Sequence, residues 1–355
     1  MSNTLTIALA SLGGVVLAGV IAHGAWSARK AGPKRAEHPP ERIEPRDPVM
    51  DDAVGAAAEA EATAELAELP PQVPERRANR RAVAKLDALI DSIATLRVEA
   101  PIGGAQVIAH LPTTRRAGGK PFIIEGLNSE SGEWEAPASS QRYGEFQAGV
   151  QLANRTGALN EIEYSEFVQK VQAFADAIGA LADFPDMLEA VAGARELDHF
   201  AGAHDAQLAV LLRAREAAWS VGYIQQHAGR HGFVPGVVPG RLVMPAAEEG
   251  APPVLTLTFD SQAALADDPN LAAVREVTLS FDVPQTDPKA EPFAAWQASA
   301  QALAQSMDAT VVDDHGRQLG TESFAAIGNE LGQLYTALEG RDLAAGTPAA
   351  RRLFS

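Results

Sequence analysis

The chain contains no cysteine among its 355 residues, and this absence removes several classes of protein at once. Disulfide scaffolds, thiol nucleophiles and cysteine-ligated zinc or iron–sulfur sites are all excluded. Positive charge is also scarce, because 29 Lys and Arg face 46 Asp and Glu and leave a formal net charge of −17. Nucleic-acid binding needs a basic surface that displaces counterions from phosphates, so this acidic composition argues against a nucleic-acid partner.

Catalytic motifs are missing as well. The sequence has no Gly-x-Ser-x-Gly element, no phosphate-binding glycine loop and no dinucleotide fingerprint. His227 and His231 are spaced like zinc ligands on a helix, but Ala228 stands where a zinc protease has glutamate. Asp313-Asp314-His315 precedes Gly316 and is more typical of a polar turn than of an acid–base cluster. We therefore predict no catalytic, cofactor or metal site, no small-molecule substrate and no enzymatic activity.

Charged residues are also absent from Thr4 to Trp26, a stretch rich in Leu, Ile, Val, Ala and Gly. Its length matches one helical crossing of a bilayer. Basic residues follow immediately, at Arg29, Lys30 and Lys34. The positive-inside rule then predicts a single-pass inner-membrane protein, with the N-terminus periplasmic and the rest cytoplasmic. A cleaved signal peptide is the alternative, but its basic residues would precede the apolar run.

The composition divides the rest of the chain. Residues 1–26 are the predicted anchor, and residues 27–81 are a linker rich in Pro, Ala and charge that has little to bury. Residues 82–200 and 201–340 are two folded halves. Residues 341–355 follow Gly340 and are predicted to be a flexible tail.

The first half begins with a predicted amphipathic helix from Val83 to Leu96, because its apolar residues recur at helical spacing. Predicted strands follow at Ala105–Leu111, Phe122–Glu125 and Phe146–Leu152. Two helices complete this half, one from Tyr164 to Ile178 and one from about Asp186 to Phe200.

The second half has a similar order of elements. Its predicted strands are Gln207–Leu212, Val237–Met244, Val254–Phe259, Val274–Val283 and Thr310–Asp313. Its predicted helices are Trp219–His231, Phe293–Met307 and Phe324–Leu338. The fold class is therefore α+β.

The pattern also favours an internal repeat of the two halves, the alternative being that any amphipathic helix gives the same spacing. A shift of 129 residues places Val150 on Leu279, Tyr164 on Phe293 and Ile178 on Met307 without a gap. At a shift of 101, Ala105-Gln106-Val107 matches Ala206-Gln207-Leu208. This alignment predicts that the first half has lost the helix after its first strand, since the segment from Pro112 to Pro121 is short.

Several runs in residues 205–339 resemble the FtsZ-binding domain of the bacterial division protein family ZipA. The residues that carry the likeness are Tyr223 to Ala228, Gly232-Phe233-Val234, Leu255 to Phe259, Leu279 to Pro284, and Ala302 to Gln305 followed by Val311-Val312-Asp313-Asp314. The resemblance implies a split sheet with helices on one face and a shallow groove on the other. In the family, that groove receives the C-terminal helix of FtsZ and tethers the division ring to the membrane.

Carried onto this chain, the groove consists of outward positions on the first four strands of the second half: Leu208, Val210, Val238, Thr256, Thr258, Thr278 and Ser280. The family has large apolar side chains at several of these places, whereas threonines and Ser280 stand here. A solvated sheet face is the alternative interpretation of the same residues.

Three functions follow from these observations, in order of preference. The first is a cell-division protein of the inner membrane that binds the FtsZ C-terminal peptide. The second is a membrane-tethered adaptor of the envelope or division machinery with another protein partner. The third is an enzyme, which the missing catalytic motifs disfavour.

Overall fold

A computed structural model describes residues 85–355 except 249, 267 and 269–271. The predicted anchor (1–26) and linker (27–81) lie outside the described residues. Within the described part, no helix is both long enough and apolar enough to cross a membrane. The structure confirms the predicted α+β class, with antiparallel sheets and helices packed against them.

The first half contains a long strand, a short helix and then strands and two longer helices. In chain order these are β1 (Asp91–Gly103), α1 (Gly104–His110), β2 (Arg116–Ala117), β3 (Lys120–Asn128), β4 (Trp134–Glu135), β5 (Arg142–Gln151), β6 (Ala153–Asn154), β7 (Gly157–Ala158), α2 (Glu161–Ile178), β8 (Leu181–Asp183) and α3 (Met187–His204).

The second half has the same kind of succession and ends with one additional helix. Its elements are β9 (Gln207–Ala214), α4 (Val221–Arg230), β10 (Val234–Pro235), β11 (Arg241–Met244), β12 (Leu255–Thr258), α5 (Ser261–Ala264), β13 (Glu276–Asp282), a 3₁₀ turn (Pro288–Ala290), α6 (Pro292–Met307), β14 (Ala309–Val312), α7 (Thr321–Glu339) and α8 (Pro348–Leu353).

The two large sheets have matching strand orders. The first runs β2-β3-β5-β1-β8, with β4 beside β3, and the second runs β10-β11-β12-β13-β9-β14. The first strand of each half, β1 or β9, lies between a long strand that comes before the covering helix and a short strand that comes after it. These neighbours are β5 and β8 in the first sheet, around α2, and β13 and β14 in the second, around α6.

Helix α2 covers the first sheet with an aromatic face. Phe167 and Phe174 are buried, and their rings meet Phe122 and Phe146 edge-on at 5.7 and 6.0 Å. The helix begins at Asn160, whose side chain accepts the N–H of Glu163 in a capping box, which satisfies backbone donors that the first turn leaves unpaired.

Helix α6 covers the second sheet in the corresponding way. Trp296 is buried, and its indole N–H donates to the carbonyl of Leu279 at 3.0 Å. Both covering helices end at a residue with left-handed backbone, Gly179 with φ 70° and Asp308 with φ 56°. A short strand follows each of these ends, so the helix, its stop and the next strand recur in both halves.

Two predictions for the first half are wrong. Residues 91–96 belong to strand β1 and not to a helix, and residues 104–110 form helix α1 where a strand was predicted. The burial of Ala94 and Leu96 alternates along β1, and pairing with β5 on one side and β8 on the other decides its conformation. The helix after the first strand is therefore present, and the match of Ala105 to Ala206 does not hold.

The prediction of a flexible tail at residues 341–355 is also wrong. This segment folds back between the two halves, and α8 packs against both. The side chains that meet there form a separate apolar cluster: Ile90, Ala153, Leu197, Ala201, Leu338, Leu343, Ala345, Ala349, Ala350, Leu353 and Phe354. Burial of this apolar surface outweighs the entropy that a free tail would retain.

An ion pair fastens the C-terminal segment to the first strand. The guanidinium of Arg352 donates to both carboxylate oxygens of Asp91, at 2.5 and 2.8 Å, and to the carbonyl of Lys85 at 2.9 Å. The Asp91 side chain is fully buried, and that of Arg352 is 14% exposed. Gln151, opposite Asp91 in the sheet, donates to the carbonyl of Arg352.

We expect Arg352→Leu to lower the free energy of unfolding by about 3–5 kcal/mol, because Asp91 would remain buried without its counter-charge. Denaturant titration of the full chain measures this loss. Arg195→Leu is the control, since Arg195 pairs with Glu161 on the surface, where both side chains are about half exposed or more. Equal effects of the two substitutions would contradict the structural role of the buried pair.

Candidate functional site

The outer face of the second sheet, opposite α4 and α6, carries two rows of mostly small side chains at its centre. In the first row Val243, Thr256, Ser280 and Ala209 lie side by side across four strands. In the neighbouring row, Thr258 and Thr278 pair with each other, Leu211 lies beside Thr278 and Arg241 lies beside Thr258. The threonines and Ser280 are half-buried. The structure thus brings together four of the seven predicted groove residues.

The two predicted positions on the first strand of this half lie on the other face. Val210 is opposite Leu279 and 1% exposed, and Leu208 is opposite Phe281, so both point toward the helices. Ala209 and Leu211 are outward instead. A shift of one residue in register exchanges the faces of a strand. Apolar residues occupy both odd and even positions of β9, so the sequence pattern does not show which face of the strand is buried.

Val238, the seventh predicted residue, does not belong to a strand. It lies in the turn between β10 and β11 and is 55% exposed. Strand β11 begins only at Arg241, because Pro239 lacks an N–H donor and Gly240 adopts a left-handed conformation with φ 77°.

One charged residue stands beside the rows, since Arg241 lies next to Thr258 and its guanidinium donates to the hydroxyl of Thr256 at 3.4 Å. The strand ends of this face carry charged residues that are paired. At one end Arg213 binds Glu276 at 2.9 Å. At the other end Asp282 accepts from Arg155 of the first half at 2.6 Å, and from Gln207 at 3.2 Å. The rows between them present hydroxyl, methyl and isopropyl groups. Such a face suits a ligand with apolar and neutral polar side chains.

The acid–histidine cluster of residues 313–315 forms a turn. Its potential ligand atoms lie within 4.8 Å of one another. However, Asp313 accepts from the backbone N–H of Arg317 and from its guanidinium, both at 2.8 Å. Desolvation alone would raise the pKa of Asp313, but these bonds outweigh it and hold that pKa below its ordinary value. Asp313 is therefore engaged in shaping the turn.

Lys120 is a buried cation that the sequence pattern did not single out. Its side chain is 1% exposed, and Nζ donates to Asn154 at 2.7 Å, to Thr156 at 3.2 Å and to the carbonyl of Gly157 at 2.5 Å. Burial lowers the pKa of Lys120, although the negative charge of Glu163 opposes this. Its donors are used in holding the turn between β6 and β7 against β3, which is a structural role.

The described residues also contain open cavities. One of about 410 Å³ lies beside β14 and is lined by amides and by Arg215 and Asp308. Another of about 400 Å³ lies near the end of α7 and contains Tyr335, Asp287 and Lys289. The hydroxyl of Tyr335 is buried without a hydrogen-bond partner. Neither cavity combines a nucleophile with a general base at hydrogen-bonding distance.

No protein-family model and no curated protein sequence matches this chain.

Tyr335 supports a prediction about alkaline pH. Burial, with the negative charge of Asp287, raises the pKa of Tyr335 to about 12. Between pH 10 and 12 the unfolded chain releases this phenolic proton while the folded chain keeps it, so the free energy of unfolding falls as the pH rises. We expect Tyr335→Phe to be at least as stable as the wild type at pH 7, since it removes an unpaired hydroxyl.

At pH 11.5 the wild type should have lost about 1 kcal/mol relative to Tyr335→Phe, after allowance for solvent screening of a partly exposed ring. Denaturant titrations at pH 7, 9.5 and 11.5 measure the difference. If the wild type and Tyr335→Phe lose the same stability as the pH rises, the prediction of a raised Tyr335 pKa is wrong.

Proposed function

We propose that this chain is a membrane-anchored binding protein of the ZipA type, which recruits FtsZ and tethers it to the inner membrane. The single observation that carries the proposal is the outer face of the second sheet, where an uncharged row of four residues (Val243, Thr256, Ser280 and Ala209) crosses four strands. Strands lie about 4.8 Å apart, so this row is about 14 Å long. This is close to the diameter of an α-helix with its side chains.

The chemistry of the rows fits the docking of a short helix. Leu211 and Val243 supply apolar contacts, and the methyl groups of Thr256 and Thr278 extend them across the centre. The hydroxyl groups can bond polar atoms at the ends of a bound helix. Thr and Ser bury less apolar area than the large side chains of the ZipA family, so we expect weaker binding here.

We interpret the similar strand orders of the two sheets as an internal duplication of a ZipA-like unit. In the first sheet the corresponding outer face is crossed by the chain itself. The side chain of Leu86 lies against Gly149, and the backbone N–H of Leu86 donates to the buried carboxylate of Glu125 at 3.2 Å. This cover favours the second sheet as the place where a peptide binds.

The polar centre of the second face favours one other function. A membrane-tethered adaptor with a different partner would also use this face, and the hydroxyl groups of Thr258 and Ser280 suit a ligand that is more polar than the FtsZ helix. Under both functions the apolar residues 4–26 hold the domain at the bilayer and the linker lets it reach a partner.

We expect the full chain, reconstituted in lipid nanodiscs, to bind a fluorescent FtsZ C-terminal peptide with a micromolar dissociation constant, about −8 kcal/mol. Thr256→Arg places a charge in the centre of the first row and should weaken binding at least about tenfold. Ser280→Trp restores a large apolar side chain and should tighten it. Fluorescence anisotropy measures all three proteins.

Thr95→Arg is the matched control, because Thr95 lies on the outer face of the first sheet, opposite Gln147. If the Thr256→Arg variant binds the peptide as tightly as the wild type, the peptide site does not lie on the second sheet. No binding at any accessible concentration of chain contradicts the FtsZ tether and leaves the adaptor.

A further inference from the structure

Arg241 brings a positive charge to the outer face of the second sheet. It is the first residue of β11, it is exposed, and its guanidinium donates to the hydroxyl of Thr256, which bears no counter-charge. Asp260 follows the strand paired with β11, but its carboxylate accepts from the backbone N–H of Gln262 at 2.9 Å and caps α5. Within the part of the chain that the structure describes, no carboxylate forms an ion pair with Arg241.

The position of this cation means that a ligand on the face must cover it. Thr256 belongs to the first row, so the guanidinium that it binds lies against that row. A ligand that fills the row displaces water from the guanidinium, and burial of a charge without a partner is costly. A carboxylate of the ligand offsets this cost, because arginine and carboxylate can form two parallel charge-assisted hydrogen bonds. The rows suit apolar and neutral polar side chains, and Arg241 adds the requirement for one acid.

Apolar side chains lie beside the cation on the same face. Val243 is two residues further along β11, about 7 Å away. Val234 pairs with Val243 from β10 and is 45% exposed. Residues three or four apart on a helix are about 5–6 Å apart and lie on one side of it. An acidic and a large apolar side chain at this spacing therefore meet Arg241 and the two valines together.

We propose that the peptide bound by this face carries an aspartate or glutamate that pairs with Arg241, and a large apolar residue three or four positions away that packs on Val234 and Val243. The inference rests on the FtsZ binding proposed above and names the chemistry by which the face selects its peptide. The net charge of −17 attracts basic peptides at long range. A contact that requires an acid at one position discriminates against the peptides that this general attraction would otherwise collect.

Arg241→Gln tests the pairing, because glutamine removes the charge and keeps a hydrogen-bond donor for Thr256. In the full chain in nanodiscs, we expect this variant to bind the fluorescent FtsZ C-terminal peptide at least about tenfold more weakly than the wild type does. Fluorescence anisotropy measures both proteins. Arg97→Gln is the matched control and should bind as the wild type does, because Arg97 is an exposed arginine on the outer face of the first sheet, opposite Glu145.

A set of altered peptides identifies the partner of Arg241. Each aspartate or glutamate of the peptide is replaced in turn by its amide. One replacement should weaken binding to the wild type by about the same factor as Arg241→Gln does, and should leave binding to Arg241→Gln unchanged. A lysine at that peptide position should bind Arg241→Glu more tightly than the unmodified peptide does.

The outcomes separate this inference from the proposed function. If the wild type does not bind the peptide, FtsZ binding and the inference fail together. If the wild type binds the peptide and Arg241→Gln binds it equally well, the inference alone is overturned. If Arg241→Gln weakens the binding of every amide-substituted peptide by the same factor as that of the unmodified peptide, Arg241 acts through the structure of the sheet, and the pairing is again overturned.

Discussion

The buried pair of Asp91 and Arg352 is the constraint on which the arrangement of the two halves depends. Asp91 is the first residue of β1, an interior strand of the first sheet, and a buried carboxylate in that position is tolerated only with a bound counter-charge. Arg352 supplies that charge from the last helix. In doing so it draws residues 341–355 across the junction, where Leu353 and Phe354 complete the apolar cluster shared by both halves. One ion pair thus couples a sheet at one end of the folded region to a helix at the other.

The sequence pattern predicted elements where a single period was present. Leu255, Leu257 and Phe259 alternate with threonine and identified β12, and the apolar residues from Tyr164 to Ile178 identified α2. The sequence pattern assigned the wrong face to β9, because apolar residues stand at both odd and even positions of that strand. It predicted a helix at β1, because the apolar residues there have helical spacing, but pairing within the sheet decides the conformation. The alternating patterns of β12 and β13 also placed four of the seven predicted groove residues on the outer face. The contact of Asp91 with Arg352 joins positions 261 residues apart and leaves no local pattern.

Two sheets with one strand order have different outer faces, and the difference lies in a few residues. In the first sheet Gly149 leaves room for Leu86, and the buried Glu125 binds the passing backbone and the amide of Gln147. In the second sheet the residue aligned with Gly149 at the 129-residue shift is Thr278, whose side chain lies on the open face. Gly149 leaves room for the segment that covers the outer face of the first sheet. Thr278 fills the aligned position of the second sheet, whose outer face is open.

The position of Arg352 has a consequence for the order of folding during synthesis. At about 5–20 residues per second, roughly 13–52 s pass between the translation of Asp91 and that of its partner. During this interval the first half has its strands and α2 but lacks the cation that pairs with Asp91. Until Arg352 arrives, this carboxylate can only be satisfied by water, so the start of β1 must stay solvated and its final burial is delayed. The two halves consequently mature together, although one is made well before the other.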